Sequence, residues 1–155
     1  MTALHFSLAS NNDIDAIVAL LTALFEQEAD FKPDPPRQQR AVRDQLAHPE
    51  QGEILLARQQ HQVIGMVSLL YLPSTAMGGR VALLEDMIIN ENFRGSGYGR
   101  QLLSAAIAHA RKRDCLRITL LTDRDNKSAQ QFYQQQGFSF SAMVPMRLSL
   151  EQDNG

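Results

Sequence analysis

LLEDMIINENFRGSGYGRQLL, residues 83–103, sets an apolar run, a loop with three glycines and the start of an amphipathic segment in direct succession. Arg80 to Ile89 is apolar enough for a strand, interrupted only by the adjacent acids Glu85 and Asp86. After the loop, Leu102, Leu103, Ala106, Ile107 and Ala110 recur at helical spacing, and Arg111, Lys112 and Arg113 suit the negative end of that helix's dipole. Leu116 to Thr122 then reads as another strand. A right-handed crossover through the intervening helix makes the two strands parallel. Asn126 to Gly137 follows as a short helix closed by a glycine suited to the left-handed C-cap, and FSFSAMVPMRLSL, residues 138–150, supplies one or two final strands.

Toward the N-terminus, Leu4 to Ala9 alternates weakly as a first strand, and Asn11 or Asn12 is placed to cap a helix with Ile14, Ile17, Val18, Leu21, Leu24 and Phe25 on one face. EQEADFKPDPP, residues 26–36, holds three prolines, four acids and one lysine, which ends that helix before a second one over about Pro36 to Ala47. Glu53 to Arg58 and Gln62 to Leu72 are strands joined by polar residues that suit a hairpin. The element string predicts a mixed α/β (α+β) domain, with a mostly antiparallel sheet flanked by helices and a single domain spanning residues 1–155.

Composition narrows the function. A net charge of −2 gives no electrostatic reason for broad nucleic-acid or anionic-membrane binding. One cysteine, Cys115, excludes an intramolecular disulfide framework, and four scattered histidines do not have the spacing of a metal cluster, so no metal is expected. No apolar run approaches the length of a membrane span, and no secretory leader is visible, which leads to the expectation of a cytoplasmic protein.

The glycine loop is the segment richest in chemistry. Glycines at alternate positions let backbone approach a ligand without Cβ obstruction, and the first N–H groups of the following helix favour an anion such as a phosphate. Arg94 and Arg100 add charge. A Walker A loop is excluded, because Arg100-Gln101 stands where lysine and a hydroxyl residue are required. The dinucleotide fingerprint fits poorly, since position 100 is arginine rather than a third glycine or alanine, and only Asp123 keeps it open. A glycine-rich turn that merely connects two elements is the plain structural alternative.

Arg94-Gly95-Ser96-Gly97-Tyr98-Gly99 also fits a third pattern, arginine, two residues, glycine, one residue, glycine. Here the chain resembles the GNAT superfamily of acyl-CoA-dependent N-acyltransferases. DRDNKSAQQFYQQQGF, residues 123–138, resembles that family's next motif, and the likeness extends over about Leu83 to Phe138. The resemblance implies acetyl-CoA as co-substrate and an amine as acceptor, with direct attack in a ternary complex. It also implies that the sheet opens between the fourth strand, to about Ile89, and the fifth. There Met87, Ile88 and Ile89 would pair their backbone with the pantetheine amides, one N–H would polarise the thioester carbonyl, and Arg94, Gly95, Ser96, Gly97, Tyr98, Gly99 and Arg100 would hold the pyrophosphate. Similar proteins are commonly dimers, so a homodimer stays open. Two non-enzymatic or distant readings stand beside this one, an acyl-CoA-binding module without turnover and a dinucleotide-binding protein.

Asn126 and Tyr133 lie seven residues apart, which returns them to one helical face. By resemblance Tyr133 is the general acid toward the departing thiolate, and Asn126 bonds the pantetheine or phosphate region; packing and N-capping are their structural alternatives. Glu85 and Asp86, as neighbours on a regular strand, are expected on opposite faces. Resemblance selects Glu85 as general base, directly or through water, against a salt bridge to Arg80 or Arg117. Cys115 reads as a buried small hydrophobe, His109 as structural or solvent-facing, and the acids Glu26, Glu28, Asp30 and Asp34 as a solvated turn that can attract a cationic amine.

Overall fold

Gln60 (φ 49°) and His61 (φ 71°) both adopt the left-handed conformation that a two-residue hairpin turn demands, and they join β2 (Gly52–Gln59) to β3 (Gln62–Ser74). This hairpin is the middle of the molecule. In a computed structural model that describes residues 3–28 and 31–151, β1 (His5–Leu8) pairs with β2, and β4 (Gly79–Ile89) pairs with β3, all antiparallel. β5 (Ile118–Leu120) joins β4 in parallel, so the five-stranded sheet keeps chain order. The parallel pair is the one expected from the crossover helix. β5 is shorter than the Leu116 to Thr122 strand read from sequence.

Each face of the sheet carries its own core. Ile54, Leu56, Met66 and Ile88 pack against Ile17, Leu20 and Leu21 of α1 (Ile14–Gln27) and Val42 of α2 (Pro35–Ala47). Leu55, Ala57, Ile64, Val67, Leu69 and Leu84 pack on the other side against Leu102, Leu103, Ala106 and Ala110 of α3 (Tyr98–Lys112). α4 (Lys127–Gln135) closes the same side as α3 through Phe132 and Tyr133. Gly65 permits the close approach of β3 to β4, because a Cβ there would stand 2.5 Å from Ile89 Cδ1.

Two local expectations change. Neither Asn11 nor Asn12 caps the first helix; Ser10 and Asp13 do so, with Ser10 N–H donating to Asp13 Oδ2 at 2.8 Å before a single 3-10 turn. The same carboxylate receives Arg58 Nη2 at 2.8 Å, and the cap is thereby tied to β2. Residues 138–150 form no strand of this chain's sheet, and all but Phe138 are exposed. Asp30 of the acidic turn lies outside the described residues.

Candidate active site

β4 changes its surroundings half-way along. Ala82, Leu83 and Leu84 are matched by Ile118, Thr119 and Leu120 of β5, whereas β4 runs on to Ile89 with only β3 beside it. Asn90 N–H donates to Ile64 O at 2.7 Å, so by alternation Ile88 also turns its peptide groups toward β3, and Met87 and Ile89 turn theirs into the gap. Arg94 Nε donates to Ile89 O at 3.0 Å and folds the arginine back over this edge. Of the three residues expected to offer backbone to a ligand, Met87 and Ile89 are thus directed there. Backbone groups left without a strand are what an extended amide-bearing ligand pairs with.

The same strand carries a β-bulge. Val67 stands opposite Met87 and Leu69 opposite Leu84, which leaves Glu85 and Asp86 together facing Ser68. Leu84 and Met87, three residues apart, both pack on the α3 side, so the alternation that was expected to send Glu85 and Asp86 to opposite faces is broken between them. Glu85 is exposed and makes no salt bridge among the described residues; the Arg80 guanidinium instead lies over the Tyr71 ring at 5.1 Å. Asp86 is pushed up to about 7, first by burial and then by the charges of Glu85 and Glu28. Ser68 Oγ opposite them is buried with no hydrogen-bond partner among the described residues.

At the far end of the gap the glycine turn meets α3. Gly95 (φ 85°) and Gly97 (φ 79°) are left-handed, and Gly97 is the N-cap residue, so the turn needs glycine at both places. A Cβ at either would touch nothing within 4 Å, which leaves the surface above them open. Gln101 N–H is the first to return to the turn, on Gly97 O at 3.2 Å; the N–H groups of Tyr98, Gly99 and Arg100 point out of the helix. With exposed Arg94 and Arg100 beside them, and Ser96 between the two left-handed glycines, they present a cluster of donors of the kind that favours an anion. A Cβ at Gly99 would lie 3.7 Å from Phe132 and 3.8 Å from Ile89, at ordinary contact distance. Tyr98 faces the sheet and accepts a hydrogen bond from Gln59 Nε2 at 3.1 Å.

Tyr133 reaches the gap from α4, with its hydroxyl 3.9 Å from Met87 Sδ and its ring edge-on to Phe132 and Phe138. Burial, and secondarily Glu28, raises its pKa and keeps the phenol protonated. Asn126 is the N-cap of α4, accepting from Ala129 N–H at 3.0 Å through Oδ1, and its amide nitrogen makes no bond among the described residues. Sequence reasoning missed Gln130. Buried on the inner side of α4, it donates to Asp123 O at 3.0 Å and Arg124 O at 2.9 Å and fixes the loop that delivers Asn126 and Tyr133. A buried glutamine inside a glutamine-rich helix leaves no distinctive pattern. Asp123, which held the dinucleotide reading open, is exposed and serves this loop through its carbonyl.

A second carboxylate centre lies at the opposite end of α3. Glu53 accepts from Tyr71 Oη at 2.8 Å, Arg113 Nε at 2.8 Å and Arg113 Nη2 at 3.0 Å, and lies 3.0 Å from His109 Nε2. Although burial opposes the charge, the Arg113, His109 and Tyr71 contacts hold Glu53 at about 2. His109 is structural, as its sequence suggests. Cys115 is half-buried with its thiol pKa raised chiefly by burial, which suits packing rather than nucleophilic work.

Residues 15–138 match the model of the acetyltransferase (GNAT) family. The chain belongs to this family. An uncharacterized N-acetyltransferase of Bacillus subtilis (strain 168), YhfO, is 30% identical over 122 residues, covering 77% of this chain and 82% of that protein. The glucosamine 6-phosphate N-acetyltransferase of Trypanosoma brucei brucei is 32% identical over 78 residues, covering 50% of this chain and 51% of that one. The same fold occurs in a "possible acetyltransferase" of Clostridium difficile 630, with TM-score 0.88 and 14% identity over 96% of this chain and 99% of that one. It occurs again in aminoglycoside N-acetyltransferase AAC(6')-Iy in complex with CoA, with TM-score 0.81 and 16% identity over 97% of each chain. This GNAT chain is an acyl-CoA-dependent N-acetyltransferase, and the two alternatives without acyl transfer are set aside. Among the described residues, no group of three or more His, Cys, Asp or Glu side chains is placed to hold a metal ion, and no helix is long and apolar enough to cross a membrane.

Proposed function

We propose that this acetyltransferase modifies a primary amine that is cationic in water, and that the gap between Met87 and Tyr133 is where the transfer takes place. When bound, acetyl-CoA supplies an acetyl thioester activated toward nitrogen. Every other contribution is assigned to residues of this chain.

The N–H groups at the start of α3, with Arg94 and Arg100, hold the diphosphate. The backbone of Met87 and Ile89 aligns the pantetheine, with Ile88 fixing the strand to β3 behind them, and the N–H of this edge polarises the carbonyl. Asn126 supplies its free amide nitrogen to the pantetheine or phosphate region. Glu85 and Asp86 act as one coupled pair that takes the proton of the ammonium: Glu85 is the exposed member, and Asp86, raised to about 7, gives the pair an acceptor tuned to neutral pH. As the C–N bond forms and the C–S bond breaks, Tyr133, kept protonated by its surroundings, donates to the departing sulfur. Both substrates are held together, so nitrogen attacks the acetyl carbon directly.

The acceptor class rests on charge. Glu85, Asp86 and Glu28 converge electrostatically on the bulge, an environment that attracts an ammonium group. The relatives named for glucosamine 6-phosphate and, in Salmonella typhimurium, for aminoalkylphosphonate also point to compact amines. The free β4 edge beside Tyr133 carries this reading. Its test is the acetyl-CoA dependence of the melting temperature, followed by a panel of amines with free-thiol detection. A chain stabilised by acetyl-CoA that releases CoA faster with compact amines than with neutral nucleophiles supports the proposal; a preference for alcohols or thiols overturns it.

A further inference from the structure

Ser68 stands on β3 between Val67 and Leu69, is only 1% exposed, and its Oγ has no hydrogen-bond partner among the described residues. A hydroxyl withdrawn from water without a partner is costly, so buried hydroxyls are bonded to protein or to internal water. Alanine fills the same space without burying a hydroxyl, and room for the bulge alone therefore does not call for serine. Val67 and Leu69 pack toward α3, so alternation turns Ser68 to the other face, where Met66 and its β2 partner Ile54 pack toward α1. Asp86 is turned to that same face, because Met87 beside it packs toward α3. Its carboxyl also makes no hydrogen bond among the described residues; burial and the charges of Glu85 and Glu28 are what act on it. Two withdrawn polar groups without partners thus share one face across a single step between strands. Opposed residues hold their Cβ atoms about 4.5–5.5 Å apart, and a hydroxyl and a carboxyl so placed, without a direct bond, are within the span of one shared water.

We propose that Ser68 is a positioning residue for Asp86, its hydroxyl donating through one internal water to the core-side oxygen of the carboxylate while the other oxygen takes the proton of the ammonium. The water accepts from Ser68 O–H and donates to Asp86, and both keep their protons throughout. When the N–H bond breaks, the proton passes to the outer oxygen and Asp86 becomes neutral. The electron pair stays on the nitrogen, which then attacks the acetyl carbon. A donor directed at the charged form opposes the burial and like charges around Asp86, and so brings a crowded carboxylate back toward a neutral working pH. The other groups acting here are Glu85 on the same strand, Glu28 at the end of α1 and, across the gap on α4, Tyr133, which also lies under the charge of Glu28. On β3 the one titratable side chain near Ser68 is Tyr71, which is bonded to Glu53 on the opposite face. The proposal rests on the reading of Asp86 as part of the proton-accepting pair.

Ser68→Ala in the full chain tests it, since it removes one atom and leaves the packing in place. Carboxyl NMR titration of Asp86, which needs no turnover, is expected to show its midpoint raised by about half to one pH unit in the variant. The rising limb of kcat/KM should move with it, a loss of about two- to five-fold at pH 7 that closes as the pH approaches about 9. The melting temperature should fall at about pH 8.5, where Asp86 is charged, and hold at about pH 5, where it is neutral. Ser68→Thr, which keeps the hydroxyl on a side chain suited to a strand, is expected to retain the native limb. An Asp86 midpoint that does not move in Ser68→Ala overturns the proposal, and so does a variant that melts higher than the native chain at both pH values, as removal of an unpartnered hydroxyl would make it. A Ser68→Thr limb displaced as far as that of Ser68→Ala overturns it too, because shape rather than the hydroxyl is then the cause. A native rate profile without the limb strikes the reading of Asp86 as proton acceptor, and the proposal with it; a native limb that Ser68→Ala leaves in place strikes the role of Ser68 alone.

Discussion

Glu53 and Asp86 are carboxylates on the same sheet, both drawn out of bulk water, and they come to opposite ends of the titration scale. Glu53 gathers donors from Tyr71, His109 and Arg113 and sits at about 2. Asp86 feels, besides burial, the charges of two other carboxylates, Glu85 and Glu28, and sits at about 7. Burial pushes both upward, and the company each side chain keeps decides the outcome. A carboxylate with its hydrogen bonds satisfied fastens a helix to a sheet; one without them is left ready to accept a proton.

Four experiments press on this contrast. The largest effect is expected from Tyr133→Phe, which removes the acid on the other side of the gap from Asp86. Its kcat should fall about 10²- to 10⁴-fold with acetyl-CoA affinity kept, as read by single-turnover kinetics and calorimetric titration. A loss confined to KM would return Tyr133 to a packing role.

Asp86→Asn comes next. With the native residue, kcat/KM is expected to rise as the pH passes through about 7, and the variant should lose that limb together with most of its rate. The sign for stability is opposite. A folded-state pKa above the ordinary 3.8 contributes stability at low pH that is lost as the pH rises to about 7, so Asp86→Asn should melt higher than the native chain at pH 8. A native pH–rate profile flat across neutrality would remove Asp86 from the proton path and leave Glu85→Gln as the substitution to pursue.

Glu53→Gln should leave the pH–rate profile alone and cost about 2–3 kcal/mol of stability at pH 7, measured by urea unfolding. Glu53 is depressed from 4.5 to about 2, so its contribution is complete above about pH 4.5 and disappears as the pH falls to about 2. The variant should lose that acid dependence. Equal slopes in native and variant proteins would show that the network is not coupled to protonation.

Gly97→Ala is expected to be the mildest. The new Cβ meets no neighbour, so only the left-handed backbone is penalised, by about 1 kcal/mol, with a several-fold loss of acetyl-CoA affinity. Unchanged affinity would disconnect the turn from the coenzyme.

Legibility in the sequence tracks how local the cause is. The strand, glycine turn and helix from Arg80 to Arg113 are written in consecutive residues, and so is the short helix that follows Asn126 and carries Tyr133. The bulge is not, because it arises from an offset between β3 and β4 that no single strand records, and regular alternation alone sends Glu85 and Asp86 to opposite faces. The Glu53 network escaped for a related reason, since its partners His109 and Arg113 are 56 and 60 residues away. In residues 138–150 the alternation is plain, yet no strand of this sheet forms there, because a repeat of two shows a preference for extended backbone and not the partner that would satisfy it.

β5 is joined to β4 by three residue pairs and, just ahead of them, by Leu116 N–H donating to Arg80 O at 2.8 Å, all at one end of β4. The other end of β4, from Glu85 to Ile89, is thereby left open along its flank, so an extended ligand can lie against it without displacing a paired strand.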